Sequence, residues 1–333
     1  MDRGGEYPPK SSRLNGAELM QARVLVTGGS GFIGSNLSKY LIEIGANVTA
    51  IDNFSTGLRI NSKSFSSLGI DLVEADITDQ EKTSKYFKNT DFVFHQAAIP
   101  SVPSSISNPV LTHHHNVNGT LSVLENSRLH NVKKVIFAAS TSAYGDTKIL
   151  PKVETINPMP LSPYAIHKLV GEYYCQVYFR CYNLRTTALR YFNVYGPFQD
   201  PSSEYSAVIP IFIKKALSNK ELIIYGDGEN TRDFVFVDDV IQANLQTAIS
   251  EKADGQVINV AYGDSITLNE LAKLIIDKTS SHSSIIYKSP RQGDIKHSSA
   301  DLSLAKSLIG YNPRYNLNKG LMKTIDYFIS LEK

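Results

Sequence analysis

An α/β chain, with a doubly wound parallel sheet and a smaller C-terminal α/β lobe, is predicted by three features of the sequence. The first is Thr27-Gly-Gly-Ser-Gly-Phe-Ile-Gly34, set between a short apolar strand and an amphipathic helix. The second is the regular alternation of strand-like and helix-like segments that follows, as far as Leu189. The third is a change in composition after Arg190, where polar and proline-containing loops separate shorter elements. Alternating β and α at these lengths means parallel strands joined by right-handed crossovers. Ligands then collect at the carboxyl ends of the strands.

In order, the strands of the first lobe are expected at Ala22–Thr27, Val48–Ile51, Asp71–Glu74, Phe92–His95, Val135–Ala139 and Thr186–Leu189, the last completing the sheet. Helices are expected at Ser35–Ile44, Gln80–Phe87, Pro109–Leu129 and Ser162–Tyr182. Beyond them come helix Ile209–Leu217, strands Leu222–Tyr225 and Phe234–Val237, and helix Val240–Ile249, capped by Asp238-Asp239. Strand Val257–Val260, helix Leu268–Lys278, strand Ile285–Tyr287 and two further helices finish the chain. The domain reading is an extension over 1–21, a Rossmann-type nucleotide domain over 22–190 and a substrate lobe over 191–333. A stretch of about 234–262 returns to the first domain.

The 333 residues are 42% hydrophobic and 20% charged, as in a globular protein. With 34 basic against 32 acidic residues, nothing favours nucleic acid or a membrane surface as partner. Cys175 and Cys181 would face different ways on one helix and read as free thiols in a reducing compartment, hence a cytoplasmic protein. No apolar run approaches the ~20 residues of a membrane span. The first 21 residues lack a signal peptide's apolar core and are expected to hold at most a short helix at Gly16–Met20.

The glycines have separable jobs. Gly28 makes a tight turn, Gly31 lets a pyrophosphate approach the backbone, and Gly34 lets helix pack on strand. The pyrophosphate would sit on the free N–H groups of the helix start. Asp52, ending the next strand, suits the adenosine ribose hydroxyls and would repel a 2′-phosphate, which favours NAD over NADP. Other strand ends carry Asp76-Ile77, Gln96-Ala97-Ala98 and Ser140-Thr141-Ser142. Consecutive helical residues diverge, so His113-His114-His115 is no chelating set and no metal is expected. In Ser162-Pro-Tyr-Ala-Ile-His-Lys168, Pro163 suits a helix's first turn, and Tyr164 and Lys168 share one face. A free phenol titrates near ~10. A neighbouring ammonium can lower that and make the phenol a base.

These runs stand together with Asp52-Asn-Phe-Ser-Thr-Gly57, His95-Gln-Ala-Ala98, Asn116-Val-Asn-Gly-Thr120, Ser140-Thr-Ser-Ala-Tyr-Gly-Asp146, Leu189-Arg-Tyr-Phe-Asn193, Gly226-Asp-Gly228, Arg232-Asp233 and Arg291-Gln-Gly-Asp294. The set resembles the extended short-chain dehydrogenase/reductase superfamily, from about Arg23 to the C-terminus. Within it the chain looks most like the branch of UDP-N-acetylglucosamine/UDP-N-acetylgalactosamine 4-epimerases. The resemblance implies bound NAD, held by Gly28, Gly31, Phe32, Ile33, Gly34, Asp52, Asn53, Ser55, Thr56, Gly57, Asp76, Ile77, Gln96, Ala97, Ala98 and His115 with Tyr164 and Lys168. It implies that Tyr164 takes the proton of the sugar 4-hydroxyl while hydride passes from C4 to NAD. The keto sugar then turns over, and hydride returns to its other face. Lys168 would depress the tyrosine pKa, and Ser140 would hold the 4-oxygen. Substrate contacts would fall to Ser101, Ser142, Asn193, Ala207, Val208, Tyr225, Arg232, Arg291, Asp294 and Ser298.

Thr141 and Ser142 stand where sugar 4,6-dehydratases of this superfamily carry an acid, and neither hydroxyl ionises near neutrality, which speaks against elimination. Ser298 stands where epimerases restricted to UDP-glucose and UDP-galactose carry a bulky tyrosine, so it leaves room for a 2-acetamido group. The alternatives are a UDP-glucose/galactose or UDP-glucuronate 4-epimerase, or a non-enzymatic NAD-binding regulator. Relatives commonly dimerise through a four-helix bundle, here formed by Pro109–Leu129 and Ser162–Tyr182, so a homodimer is expected.

Overall fold

The computed structural model describes residues 18–201, 207–290 and 296–331. The first lobe contributes strands β1 (Arg23–Thr27), β2 (Asn47–Asp52), β3 (Asp71–Glu74), β4 (Phe92–His95), β5 (Lys134–Ser140) and β6 (Thr186–Tyr191). They pair in the order β6-β5-β4-β1-β2-β3, every pair parallel. The winding reverses between β1 and β4, and a crevice opens where the crossovers part. Leu25, Val26, Val93, Phe94, Val135 and Ile136 are buried. Helices cover both faces, so the central strands read as continuous apolar runs.

The sheet has a seventh strand. Val257–Val260 comes from the far end of the chain and lies parallel to β6. The expectation that Thr186–Leu189 completes the sheet is therefore corrected. Val257-Ile-Asn-Val260 reads as a strand, but strand propensity does not name a partner.

Helix Pro163–Tyr182 lies close against β5. A Cβ on Gly171 would stand 2.4 Å from the Phe137 ring, so only glycine allows this approach. The same approach sets how deeply the helix's first turns, with Tyr164 and Lys168, reach toward the strand ends.

Several elements differ from expectation. The helix from Pro109 to Leu129 is continuous but contains a π turn at His114–Asn118, an irregularity often found at functional sites. Gln80–Phe87 contracts to a helix at Gln80–Ser84. An unforeseen short helix, Val102–Ser107, starts on Ser101, whose side chain accepts the Ser104 N–H, with Pro103 in its first turn. That serine–proline pair was a legible start signal. Asp238 and Asp239 cap nothing. The helix begins at Val237, and both acids lie inside its first turn. Asp239 instead accepts the backbone N–H groups of Arg314 and Tyr315, at 2.8 and 3.0 Å, and so ties down the C-terminal segment. Residues 19–21 form turns, and the start of the expected Gly16–Met20 helix lies outside the described residues.

In the second lobe Leu222–Tyr225 pairs with Ile285–Lys288, Asn193–Tyr195 with Phe234–Phe236, and Thr231–Arg232 with Ile266–Thr267. The fully buried Asp233 joins these pieces. Its carboxylate accepts backbone N–H groups from Tyr262, Gly263 and Ala300 at 2.9, 3.1 and 3.2 Å.

Candidate active site

A cavity of about 530 Å³ opens at the carboxyl ends of the strands and runs from the glycine turn to Ala207. Gly28 has φ +70, and a Cβ there would come within 2.7 Å of the Ala97 backbone nitrogen. A Cβ on Gly34 would lie 2.0 Å from the Gly28 carbonyl oxygen. Both glycines are required by the fold itself. Gly31 is different. Its φ of −72 and ψ of 172 suit any residue, and a Cβ would touch only the Gly28 oxygen, at 3.1 Å. Beyond that contact is the cavity, so a ligand explains this glycine better than packing does. Helix Phe32–Glu43 starts there without a side-chain cap, which leaves first-turn N–H groups for a pyrophosphate.

Asp52 is buried at the end of β2 and accepts the N–H groups of Ser30 and Phe54 at 2.8 and 2.7 Å. Burial nonetheless pushes its pKa up. Asn53, Ser55 and Thr56 continue the wall with Ile77, Gln96, Ala97, Ala98 and His115. Gly57 and Asp76 stand behind it. A Cβ on Gly57 would strike the Asp52 carboxylate at 2.6 Å. Asp76 accepts the Asn53 amide at 2.9 Å and faces His115 Nδ1 at 3.7 Å, so it orients two wall residues. The neighbouring His113 meets His167 edge-on, ring centres 5.4 Å apart.

Tyr164, Lys168 and Ser140 converge on the cavity. Ser162 accepts the Ala165 N–H and starts the helix, and buried Ser105 accepts the Tyr164 N–H at 3.0 Å. The Tyr164 phenol faces Ser140, which lowers its pKa and whose Oγ accepts the Ser142 N–H at 3.2 Å. Ser140 thus caps a turn and holds the phenol at once. The Lys168 ammonium donates to the Ala138 carbonyl at 2.7 Å and lies 6.0 Å from the Tyr164 ring centre.

Burial raises the Tyr164 pKa, and the Ser140 hydrogen bond alone opposes it. The Lys168 ammonium, directed at Ala138, is itself desolvated, its pKa falling to about 8. The charge of Glu172, one turn further on, works against that fall. Glu172 is buried and held by Arg190 through a two-pronged pair at 2.8 and 2.7 Å. The Arg190 guanidinium in turn lies 4.5 Å from the Tyr144 ring centre.

Of the expected substrate residues, Ser101 and Ala207 line the cavity. Ser104, Phe192, Val194 and Phe198 complete this end, together with Pro100, Gln199 and Asp200; of the first four only Phe192 falls within one of the sequence motifs, and none was expected as a site residue. Gln199 Oε1 is buried there without a hydrogen-bond partner among the described residues. Ser142, Asn193, Val208, Tyr225, Arg232 and Ser298 are not on the described wall. The Ser142 hydroxyl is buried without a partner among the described residues, and Asn193 donates to the Asp233 carbonyl at 2.9 Å. Val208 opens the helix to Leu217, and Tyr225 ends its strand. The Arg232 guanidinium donates to the carbonyls of Thr231 and Lys296 at 2.9 and 3.4 Å. Ser298 is buried near the bridge between Lys152 and Ala300. Arg291 and Asp294 lie outside the described residues.

This site on this sheet defines a nucleotide-dependent enzyme of the short-chain dehydrogenase/reductase type, and the chain belongs to the NAD dependent epimerase/dehydratase family, which it matches over residues 24–261. It is 39% identical to a UDP-glucose 4-epimerase of Thermotoga maritima solved with UDP-glucose, at a TM-score of 0.89 over 93% of this chain and 100% of that one. The UDP-N-acetylglucosamine 4-epimerase of Methanobrevibacter ruminantium, solved with UDP-N-acetylmuramic acid, is also 39% identical, with TM-score 0.89 over 94% and 99%. A UDP-glucuronic acid 4-epimerase of Bacillus cereus, solved with UDP-glucuronic acid and NAD, is 31% identical, with TM-score 0.86 over 93% and 99%. The protein is therefore an NAD-dependent isomerase of the nucleotide-sugar 4-epimerase kind. NAD supplies the hydride acceptor and donor and, when oxidised, a positive ring. The glycine turn and the uncapped helix start fit its pyrophosphate, and Asp52 fits its ribose.

Because Lys168 loses its proton near pH 8, kcat/KM should fall on the alkaline side of about that pH. Removing the Glu172 charge in Glu172→Gln should move that limb to lower pH. A pH profile of both proteins checks this, and an unmoved limb would count against it.

Proposed function

We propose that the protein interconverts UDP-N-acetylglucosamine and UDP-N-acetylgalactosamine. Tyr164 takes the proton of the 4-hydroxyl, Ser140 holds the same oxygen, and Lys168 fixes the geometry beneath them. The observation that carries a neutral sugar is the charge of the cavity. Along its described wall Lys168 is the one Lys or Arg, and it already serves Ala138. A uronate carboxylate would meet serine hydroxyls but no further Lys or Arg on this described wall, which offsets its desolvation less completely than that of a neutral sugar. The buried Gln199 Oε1 is an acceptor suited to an acetamido N–H or a sugar hydroxyl. The serines at 101 and 104 and Ala207 keep this end small-walled. The size of Ser298 supports the acetamido reading on the resemblance alone.

Purified protein incubated with UDP-N-acetylglucosamine should yield UDP-N-acetylgalactosamine, read by chromatography of the nucleotide sugars. Brisk turnover of UDP-glucose or UDP-glucuronate with no N-acetylgalactosamine product would refute the substrate assignment.

The assembly we propose is a homodimer, built by two helices from each copy. Val110 is 79% exposed on the helix that runs to Leu129, and Ile166, Tyr173 and Val177 are exposed at helical spacing on Pro163–Tyr182. An apolar face of this kind suits a second copy. Light scattering should give twice the chain mass of 36.8 kDa, and a monomer mass would refute it.

A further inference from the structure

Two locally unfavourable features meet at one contact. Lys39, on the helix that opens with the glycine turn, is 8% exposed, and burial alone brings its pKa down to about 8. Among the described residues no acidic side chain offsets that cost. Its ammonium lies 3.4 Å from the centre of the Phe198 ring. Phe198 holds φ at +69, a left-handed conformation that a bulky residue adopts only under constraint. The constraint is visible. Asn36 donates to the Pro197 carbonyl at 3.0 Å, and Asn61 donates to the Phe198 carbonyl at 3.1 Å. The Phe198 ring packs against the Tyr327 ring, centres 4.8 Å apart.

A desolvated lysine and a strained phenylalanine do nothing for stability individually. Phe198 itself lines the cavity, and the next two residues, Gln199 and Asp200, line its sugar end. We propose that Lys39 and Phe198 are positioning residues, a cation–π clasp that fixes the loop bearing Gln199 and Asp200 against the cofactor-binding helix and so sets the geometry of the substrate end. The clasp joins the helix under the pyrophosphate to the wall opposite Tyr164. It rests on the reading that substrate occupies this end of the cavity, and it is independent of which UDP-hexose that is.

The test is a double-mutant cycle with Lys39→Met and Phe198→Leu, assayed with whichever UDP-hexose the wild-type protein turns over. Each single variant should raise KM about five- to tenfold, with kcat little changed and NAD content as in wild type. The double variant should show the KM of one single variant, because the second change removes nothing further. Lys39→Met should be at least as heat-stable as wild type, since it removes a desolvated charge. KM values that multiply in the double variant, single variants with wild-type KM, or loss of NAD alongside the KM change would each overturn the clasp. A wild-type protein inactive on every UDP-hexose would instead refute the functional reading above.

Discussion

Lys168 hangs from the end of β5 by one hydrogen bond, 2.7 Å from its ammonium to the Ala138 carbonyl, and the geometry of the reaction centre follows from it. The bond exists because helix Pro163–Tyr182 comes close enough to β5, and it comes close because Gly171 has no side chain to meet Phe137. One turn before Lys168, the same helix presents Tyr164 to Ser140, which terminates the same strand. A packing constraint between one helix and one strand thus becomes a catalytic geometry.

The electrostatics around that bond are set by burial. A phenol beside an ammonium invites the idea that the ammonium makes the phenolate. Here the ammonium is turned to a carbonyl, and burial pushes the phenol up. Ser140 opposes that rise. Glu172, paired with Arg190, helps Lys168 keep its charge in a desolvated place. A buried pair of this kind is weak support for stability, and its placement beside Lys168 gives it a clearer purpose.

Much of the first lobe was legible in the sequence because its signals are local. Gly28, Gly34, Asp52 and the Tyr164–Lys168 spacing each encode a turn, a strand end or a helix face within a few residues. Strands β3 and β4 fall where their apolar or β-branched runs begin and end. What escaped was set by distant contacts. The particular pairing of Val257–Val260 with β6, within the stretch expected to return to the first domain, and the use of Asp239 as an anchor for Arg314 and Tyr315 need knowledge of the tertiary partner. The sugar end of the cavity was least legible. Ser104 reaches it from one segment and Phe192, Val194 and Phe198 from the strand and turn of another, whereas Arg232, expected there, turns its guanidinium to backbone carbonyls. The one local clue, a phenylalanine in the turn after Gly196-Pro197, carries no sign in sequence that its φ is positive.

The central claim is that Tyr164 moves the proton in a site whose cofactor is held by other residues. Turnover and NAD content of Tyr164→Phe measure it most directly. Turnover should fall by about 10²–10⁴-fold while NAD content stays at the wild-type level, because the phenylalanine ring keeps the packing and removes only the proton acceptor. Turnover close to wild type in Tyr164→Phe would contradict the account.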